Sequence, residues 1–152
     1  MSTVEVLLIR HAHAGKRGDD HDDLRPLSDK GRRQAQGIAD RYGAVALRRT
    51  LTSPYVRCVE TIEPLAATAG TEIEVRAELG EGNGPATALA LIEHATEPIA
   101  LCSHGDVIGD VLTLLDRRGV PLDAREMQKG STWCLTVVDG VVVAGHYDPP
   151  PR

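Results

Sequence analysis

The chain has no phenylalanine, one tryptophan and three tyrosines among its 152 residues. A platform that stacks bases or sugars would have to be built almost without rings. Long apolar runs are also missing. None approaches the ~20 residues that a membrane-spanning helix needs, so no membrane partner is expected. Residues 1–11 (MSTVEVLLIRH) carry no basic segment ahead of their short apolar stretch, and no signal peptide is read there. Cysteines number three, Cys58, Cys102 and Cys134. Odd in number, widely spaced and in apolar settings, they read as reduced core thiols of a cytoplasmic protein. Positive charge is outweighed, with 17 Lys and Arg against 22 Asp and Glu and a formal net charge of −5. That balance argues against a nucleic acid polymer as partner.

What is present is ordinary for a globular chain: 41% hydrophobic and 26% charged residues. The length predicts one domain over residues 1–152, large enough to bury a core without staples. Val4 to Ile9 is a short, nearly continuous apolar run, rich in β-branched residues. It predicts a strand buried on both faces in the middle of a parallel sheet. Residues 15–27 are polar, bear Gly and Asp, and predict a loop. Ser28 has the character of an N-cap for a helix running to about Tyr42, with an apolar stripe at Ala35, Ile38, Ala39 and Tyr42. Arg49 to Ser53 predicts a second strand, and Ser53-Pro54, with Ser53 as its cap, the opening of a helix that ends at Gly70. A weak strand over 72–76 follows, then a Gly-rich stretch over 80–84. A helix over 86–94 leads to a strand over Ile99 to Ser103, and a helix beyond Gly105 ends near Arg118. Two alternating strands over 131–138 and 141–147 meet at Asp139-Gly140, a hairpin signal. Strands alternating with helices predict an α/β fold. It is a three-layer α/β/α sandwich whose mostly parallel central sheet ends in an antiparallel edge hairpin.

Open α/β sheets bind ligands outside the carboxyl ends of their strands. Two predicted strands run into histidine there, at Arg10-His11 and at Ser103-His104-Gly105. A third leads to a helix with Arg57 in its first turn, where the helix dipole favours an anion. If these strands are neighbours, two histidines and two arginines converge. A tetrahedral oxyanion relieves that crowding of cations, and arginine offers paired donors that match its oxygens. A neutral imidazole nitrogen aimed at phosphorus is a nucleophile, and its other nitrogen must be held to fix the tautomer.

Leu8-Ile9-Arg10-His11-Ala12 resembles the Arg-His-Gly/Ala motif of the histidine phosphatase superfamily, the phosphoglycerate mutase-like fold. Ser53 to Thr61 resembles its SPxxRxxxT motif, Ser103-His104-Gly105 its late histidine motif, and Leu79-Gly80-Glu81 the segment that supplies its proton donor. The motifs stand in family order. The chain is short, like the SixA-type phosphohistidine phosphatases, which lack the lid insertions of the mutases. Lys129 to Trp133, with the Asp-rich loop and Arg25-Pro26-Leu27, also resembles the phosphatase half of two-domain MutT-type nucleotide hydrolases. The resemblance implies that His11 is the nucleophile and that Arg10, Arg57 and His104 hold phosphoryl oxygens. It makes Glu81 the general acid, with Glu78 as competitor, on a loop that its glycines leave poorly fixed. It implies a phosphatase with no cofactor and no metal. Its partner would be a phosphorylated small molecule, a nucleotide or a phosphohistidine protein.

Lys16, Arg17, Gly105 and Trp133 are candidate substrate contacts: the first two toward a second phosphate, Gly105 through its backbone N–H, Trp133 as the one large ring for stacking a base. Two other classes stay open at this level. One is a non-catalytic phosphate- or phosphoprotein-binding module on the same fold. The other is a metal-dependent hydrolase using His11, His13 and the Asp-rich run 19–23, although such charge runs are usually solvated loops. A mutase is disfavoured, because so short a chain offers little lid.

Overall fold

The computed structural model describes residues 2–16 and 21–152. Six strands form one sheet: β1 (Thr3–Arg10), β2 (Arg49–Thr52), β3 (Ile73–Val75), β4 (Ile99–Ser103), β5 (Thr132–Val138) and β6 (Val141–Asp148). Four helices accompany them: α1 (Asp29–Tyr42), α2 (Val56–Ala69), α3 (Ala86–Glu93) and α4 (Gly105–Arg117). The sheet order is β3-β2-β4-β1-β5-β6. The first four strands in that order run parallel, and β5 and β6 are antiparallel to their neighbours. β1 therefore lies where the parallel part meets the antiparallel part, not within the parallel run. Its apolar run from Val6 to Ile9 is buried on both faces, whereas Thr3 and Glu5 are exposed, and such a run carries no information on the direction of a neighbour.

The alternation of β1 divides the core. Leu7 and Ile9 join Ile38 of α1 and Cys58 and Ile62 of α2 on one side of the sheet. Val6 and Leu8 join Leu89 of α3, Ile108 and Val111 of α4, and Trp133 on the other. The result is the three-layer α/β/α sandwich. Among the described residues no helix is long and apolar enough to cross a membrane.

Local chemistry accounts for most element ends. The Ser28 hydroxyl accepts the Gly31 N–H and starts α1. Gly70, at φ 72°, closes α2 in the left-handed conformation. Asp139 and Gly140 both have positive φ, 48° and 81°, and turn β5 into β6 as a two-residue hairpin. The start of α2 differs from expectation. Its cap position is Tyr55 and its first residue Val56, so Ser53 caps nothing. Ser53 accepts the Tyr55 N–H at 3.2 Å and turns toward the site.

Candidate active site

Strand register builds the site. Arg10 pairs with Ser103 across β1 and β4, so the residues that follow, His11 and His104, leave adjacent strand ends together. Their ring centroids are 5.4 Å apart and their planes inclined at 62°. On the far side of β4, Ser53 N–H donates to the Cys102 carbonyl at 3.0 Å. That brings the β2 end and the start of α2 alongside. Arg57 sits in the first turn of α2 with only 1% of its surface exposed.

His11 is clamped on both sides. Its N–H donates to the Ser103 carbonyl, and its carbonyl accepts the Gly130 N–H, both at 3.1 Å. Next to it, Ala12 N–H donates to Thr61 Oγ1 at 2.9 Å, and Thr61 Oγ1 in turn donates to the Arg57 carbonyl at 2.6 Å. The threonine of the SPxxRxxxT stretch thus ties α2 to the backbone beside the histidine. The His11 ring bonds through Nδ1 to the Ala12 carbonyl at 2.8 Å. An oxygen without a hydrogen accepts only from N–H, so Nδ1 is protonated and Nε2 carries the lone pair. Burial lowers the His11 pKa to about 3, against the Ala12 hydrogen bond and with help from the charges of Arg57, His104 and Arg10. The imidazole is neutral at any ordinary pH.

The cations around it are aimed. Arg10 Nη1 donates to the Met127 carbonyl at 2.8 Å. Arg57 Nη1 donates to the Asp22 carbonyl at 2.8 Å, and Nη2 to Asp22 Oδ2 at 3.2 Å and Glu81 Oε1 at 2.7 Å. His104 holds Ser53 Oγ at 2.8 Å through Nε2, with Cys58 Sγ at 3.5 Å. Its Nδ1 stands 3.4 Å from Glu81 Oε1. Among the described residues, three buried side-chain nitrogens have no hydrogen-bond partner: Arg10 Nε, Arg57 Nε and His104 Nδ1. Unpartnered buried donors are costly, roughly 1–3 kcal/mol each, and a ligand with several acceptor oxygens relieves the cost.

Glu81 reaches Arg57 and His104, whereas Glu78 is exposed on the turn before it. The loop that carries Glu81 is better held than its glycines suggest. Asn83 Nδ2 donates to the carbonyls of Ala77, Gly80 and Glu81, and Gly82 N–H donates to Asp106 Oδ2 at 2.8 Å. Within the Asp-rich run, Asp22 is engaged with the site. Asp22 binds Arg57 with both its carbonyl and its carboxylate, and Arg25 as well. Burial would raise its pKa, but the hydrogen bond from Arg25 and the charges of Arg57 and Arg25 outweigh that and hold it low.

The remaining candidates divide. Gly105 opens α4 directly against the Arg10 guanidinium. Lys16 is exposed on the loop after β1, and Arg17 lies outside the described residues, with Asp19 and Asp20. Trp133 is corrected: it is 1% exposed, packed on Tyr147 with ring centroids 5.4 Å apart, and its Nε1 donates to the Glu126 carbonyl. With no free face, it cannot stack a base. His13, the other histidine of the metal reading, turns its Nδ1 onto Ser28 Oγ at 2.6 Å. Among the described residues no group of three or more His, Cys, Asp or Glu is placed to hold a metal. Ser53 and Asn83 are not among the expected site residues, and Asp22 is expected only within the Asp-rich run of the metal reading. The one available signal was the spacing of Ser53 ahead of Arg57.

This fold and this cluster define an α/β protein with two arginines and two histidines gathered at the carboxyl ends of its strands. A family model described as histidine phosphatase superfamily (branch 1) matches residues 6–89, and the chain belongs to that superfamily. It is 34% identical, over 99% of its length, to an 8-oxo-(d)GTP phosphatase of Mycolicibacterium smegmatis; the match takes in 50% of that protein. The chain thus spans about half the length of this curated relative. Its fold is similar to that of the protein histidine phosphatase SixA solved with tungstate, with a TM-score of 0.77 and 18% identity over 97% of this chain and 96% of that one. It is also similar to a mycobacterial glucosyl-3-phosphoglycerate phosphatase, with a TM-score of 0.67 and 16% identity over 97% and 99% of the two chains.

Proposed function

We propose that the protein is a phosphatase that passes a phosphoryl group through His11. The observation that carries this reading is the ring of unpartnered buried donors, Arg10 Nε, Arg57 Nε and His104 Nδ1, around an imidazole held neutral. In the first step the Nε2 lone pair forms a bond to phosphorus while the ester P–O bond breaks, and Glu81 gives its proton to the departing oxygen. In the second, Glu81 takes a proton from water, the water oxygen bonds to phosphorus, and the N–P electron pair returns to Nε2. Arg10, Arg57 and His104 stabilise the charge on the non-bridging oxygens. Phosphate binding displaces Glu81 from Arg57, and the freed carboxylate takes from solvent the proton that it gives in the first step. The phosphoryl charge is met by side chains, so the reaction needs no metal in this scheme, and activity is expected to survive chelation.

For the substrate, a small phosphate ester of the nucleotide class has the better support, because the 34% identical relative is an 8-oxo-(d)GTP phosphatase. The buried Trp133 adds nothing to that reading. The protein is expected in the cytoplasm, consistent with its free thiols. The test is rapid quenching with labelled substrate. An acid-labile, base-stable phosphoryl group is expected on the wild type and not on His11→Ala. Comparison of kcat/KM on nucleotides with dephosphorylation of a phosphohistidine domain decides the class; a tenfold preference for the protein would reverse it.

A further inference from the structure

We propose that Ser53 is a positioning residue that fixes the proton of His104, so that Nδ1–H points at the phosphoryl group. The inference rests on the phosphatase reading for its purpose, and on hydrogen-bond accounting for its content. A serine hydroxyl has one hydrogen to give. Ser53 Oγ already accepts the Tyr55 N–H at 3.2 Å. Ser53 Oγ keeps a second lone pair, so at the 2.8 Å contact with His104 Nε2 either atom can be the donor, and the surroundings of Nδ1 decide for the hydroxyl. A neutral His104 that accepts at Nε2 must carry its hydrogen on Nδ1.

The other end of the ring agrees. Nδ1 is buried and makes no hydrogen bond, yet it lies 3.4 Å from the Glu81 Oε1 carboxylate oxygen. A lone pair facing that oxygen would be repelled, while an N–H is attracted. The ring is flanked on three sides in this orientation. Tyr55 stands edge-on to it at 4.5 Å between centroids, and Cys58 Sγ lies beside Nε2 at 3.5 Å. His11 flanks it on the remaining side at 5.4 Å between ring centroids.

The two histidines are thus prepared for opposite tasks by opposite partners. A carbonyl acceptor at His11 Nδ1 leaves a lone pair facing the substrate. A hydroxyl donor at His104 Nε2 leaves a hydrogen facing it. The relay Tyr55 N–H to Ser53 to His104 starts at the first turn of α2, the same turn that carries Arg57. Two of the three donors to the phosphoryl oxygens, Arg57 and His104, are therefore set by one short segment.

The test is nitrogen NMR of protein labelled at histidine, recorded on the intact chain without substrate at a pH where His104 is neutral. A protonated Nδ1 and a bare Nε2 are expected for His104. A protonated Nε2 in the wild type overturns the proposal, whether or not the protein proves to be a phosphatase. In Ser53→Ala, Nδ1 is expected to lose its proton in part, and kcat to fall on the order of tenfold or more with little change in KM. Ser53→Thr, which keeps the hydroxyl, is expected to restore both the spectrum and kcat. Equal losses in the alanine and threonine variants, with unchanged His104 resonances, would mark a packing role and refute the relay. If wild-type protein hydrolyses no phosphate ester while its His104 spectrum is as expected, the phosphatase reading fails and the relay stands.

Discussion

The Arg10 guanidinium lies against the bare α-carbon of Gly105: a Cβ there would stand 2.9 Å from Arg10 Cζ and Nη2. The glycine that opens α4 is therefore a matter of room and not of backbone freedom. Gly105→Ala is expected to push Arg10 out of place while leaving the fold intact. Displacements of about 1 Å at a reacting centre can cost about 10² in rate. A loss of that order in kcat/KM, with an unchanged melting temperature, is the expected result; wild-type activity would show that Arg10 is not needed where it stands.

The lowered pKa of His11, about 3 in the folded protein, fixes a pH dependence. The unfolded chain takes up this proton near the ordinary histidine pKa of about 6.5. Between those two values the unfolded state binds more protons, so His11 makes the protein less stable as pH falls through that window. Above about 6.5 it contributes no slope. His11→Asn should flatten the fall in melting temperature toward acid relative to wild type. On the activity side, no loss above about pH 4 should trace to protonation of His11.

Glu81→Gln keeps the shape of the acid and removes its proton. General acids are worth roughly 10²–10⁴ in rate where the leaving group needs a proton. Alkyl phosphates are therefore expected to suffer far more than p-nitrophenyl phosphate. Glu78→Gln, on an exposed side chain, should leave both substrates unchanged. A larger loss from Glu78→Gln would reassign the acid.

Thr61→Val removes the acceptor of the Ala12 N–H and leaves a buried amide unpaired. The expected cost is about 1–3 kcal/mol of stability, read by denaturant unfolding, together with lower kcat as the backbone beside His11 loosens. Thr61→Ser should recover most of both.

Trp133→Ala tests the reassignment of the one tryptophan to the core. Removing a large buried ring typically costs about 3–5 kcal/mol. The protein that remains folded at low temperature should keep its KM for a nucleotide substrate. A raised KM with stability unaltered would return Trp133 to the binding surface.

The parts of this molecule that were legible in the sequence are those decided within a few residues. Ser28 as a cap, Asp139-Gly140 as a hairpin turn and the double-faced burial of Val6 to Ile9 each follow from local sterics or periodicity. Arg10, His11, Arg57, Glu81 and His104 were named as one set through motif spacing, and the register of β1 with β4 brings Arg10, His11 and His104 to neighbouring strand ends. Ser53 was misread as a cap because a serine before a proline looks alike whether its hydroxyl serves a helix or a histidine 51 positions away. Asp22 was lost in a run of carboxylates whose members are distinguishable only by what the fold puts opposite them. Trp133 was drawn to the ligand by its rarity, although the alternation of β5 points it into the core.

The pairing of Val6 with Ile99 gives the site a place in time as well as in space. His11 and His104 meet only after a segment of the first ten residues has found one more than half the chain away. Local structure such as α1 or the β5–β6 hairpin can form without it. Loop closure over such a span is entropically costly, so the candidate site is expected to form after the local structure. Recovered activity during refolding is then a direct clock for β1–β4 registration. A collapsed intermediate with its helices in place but this pair unformed would be inert.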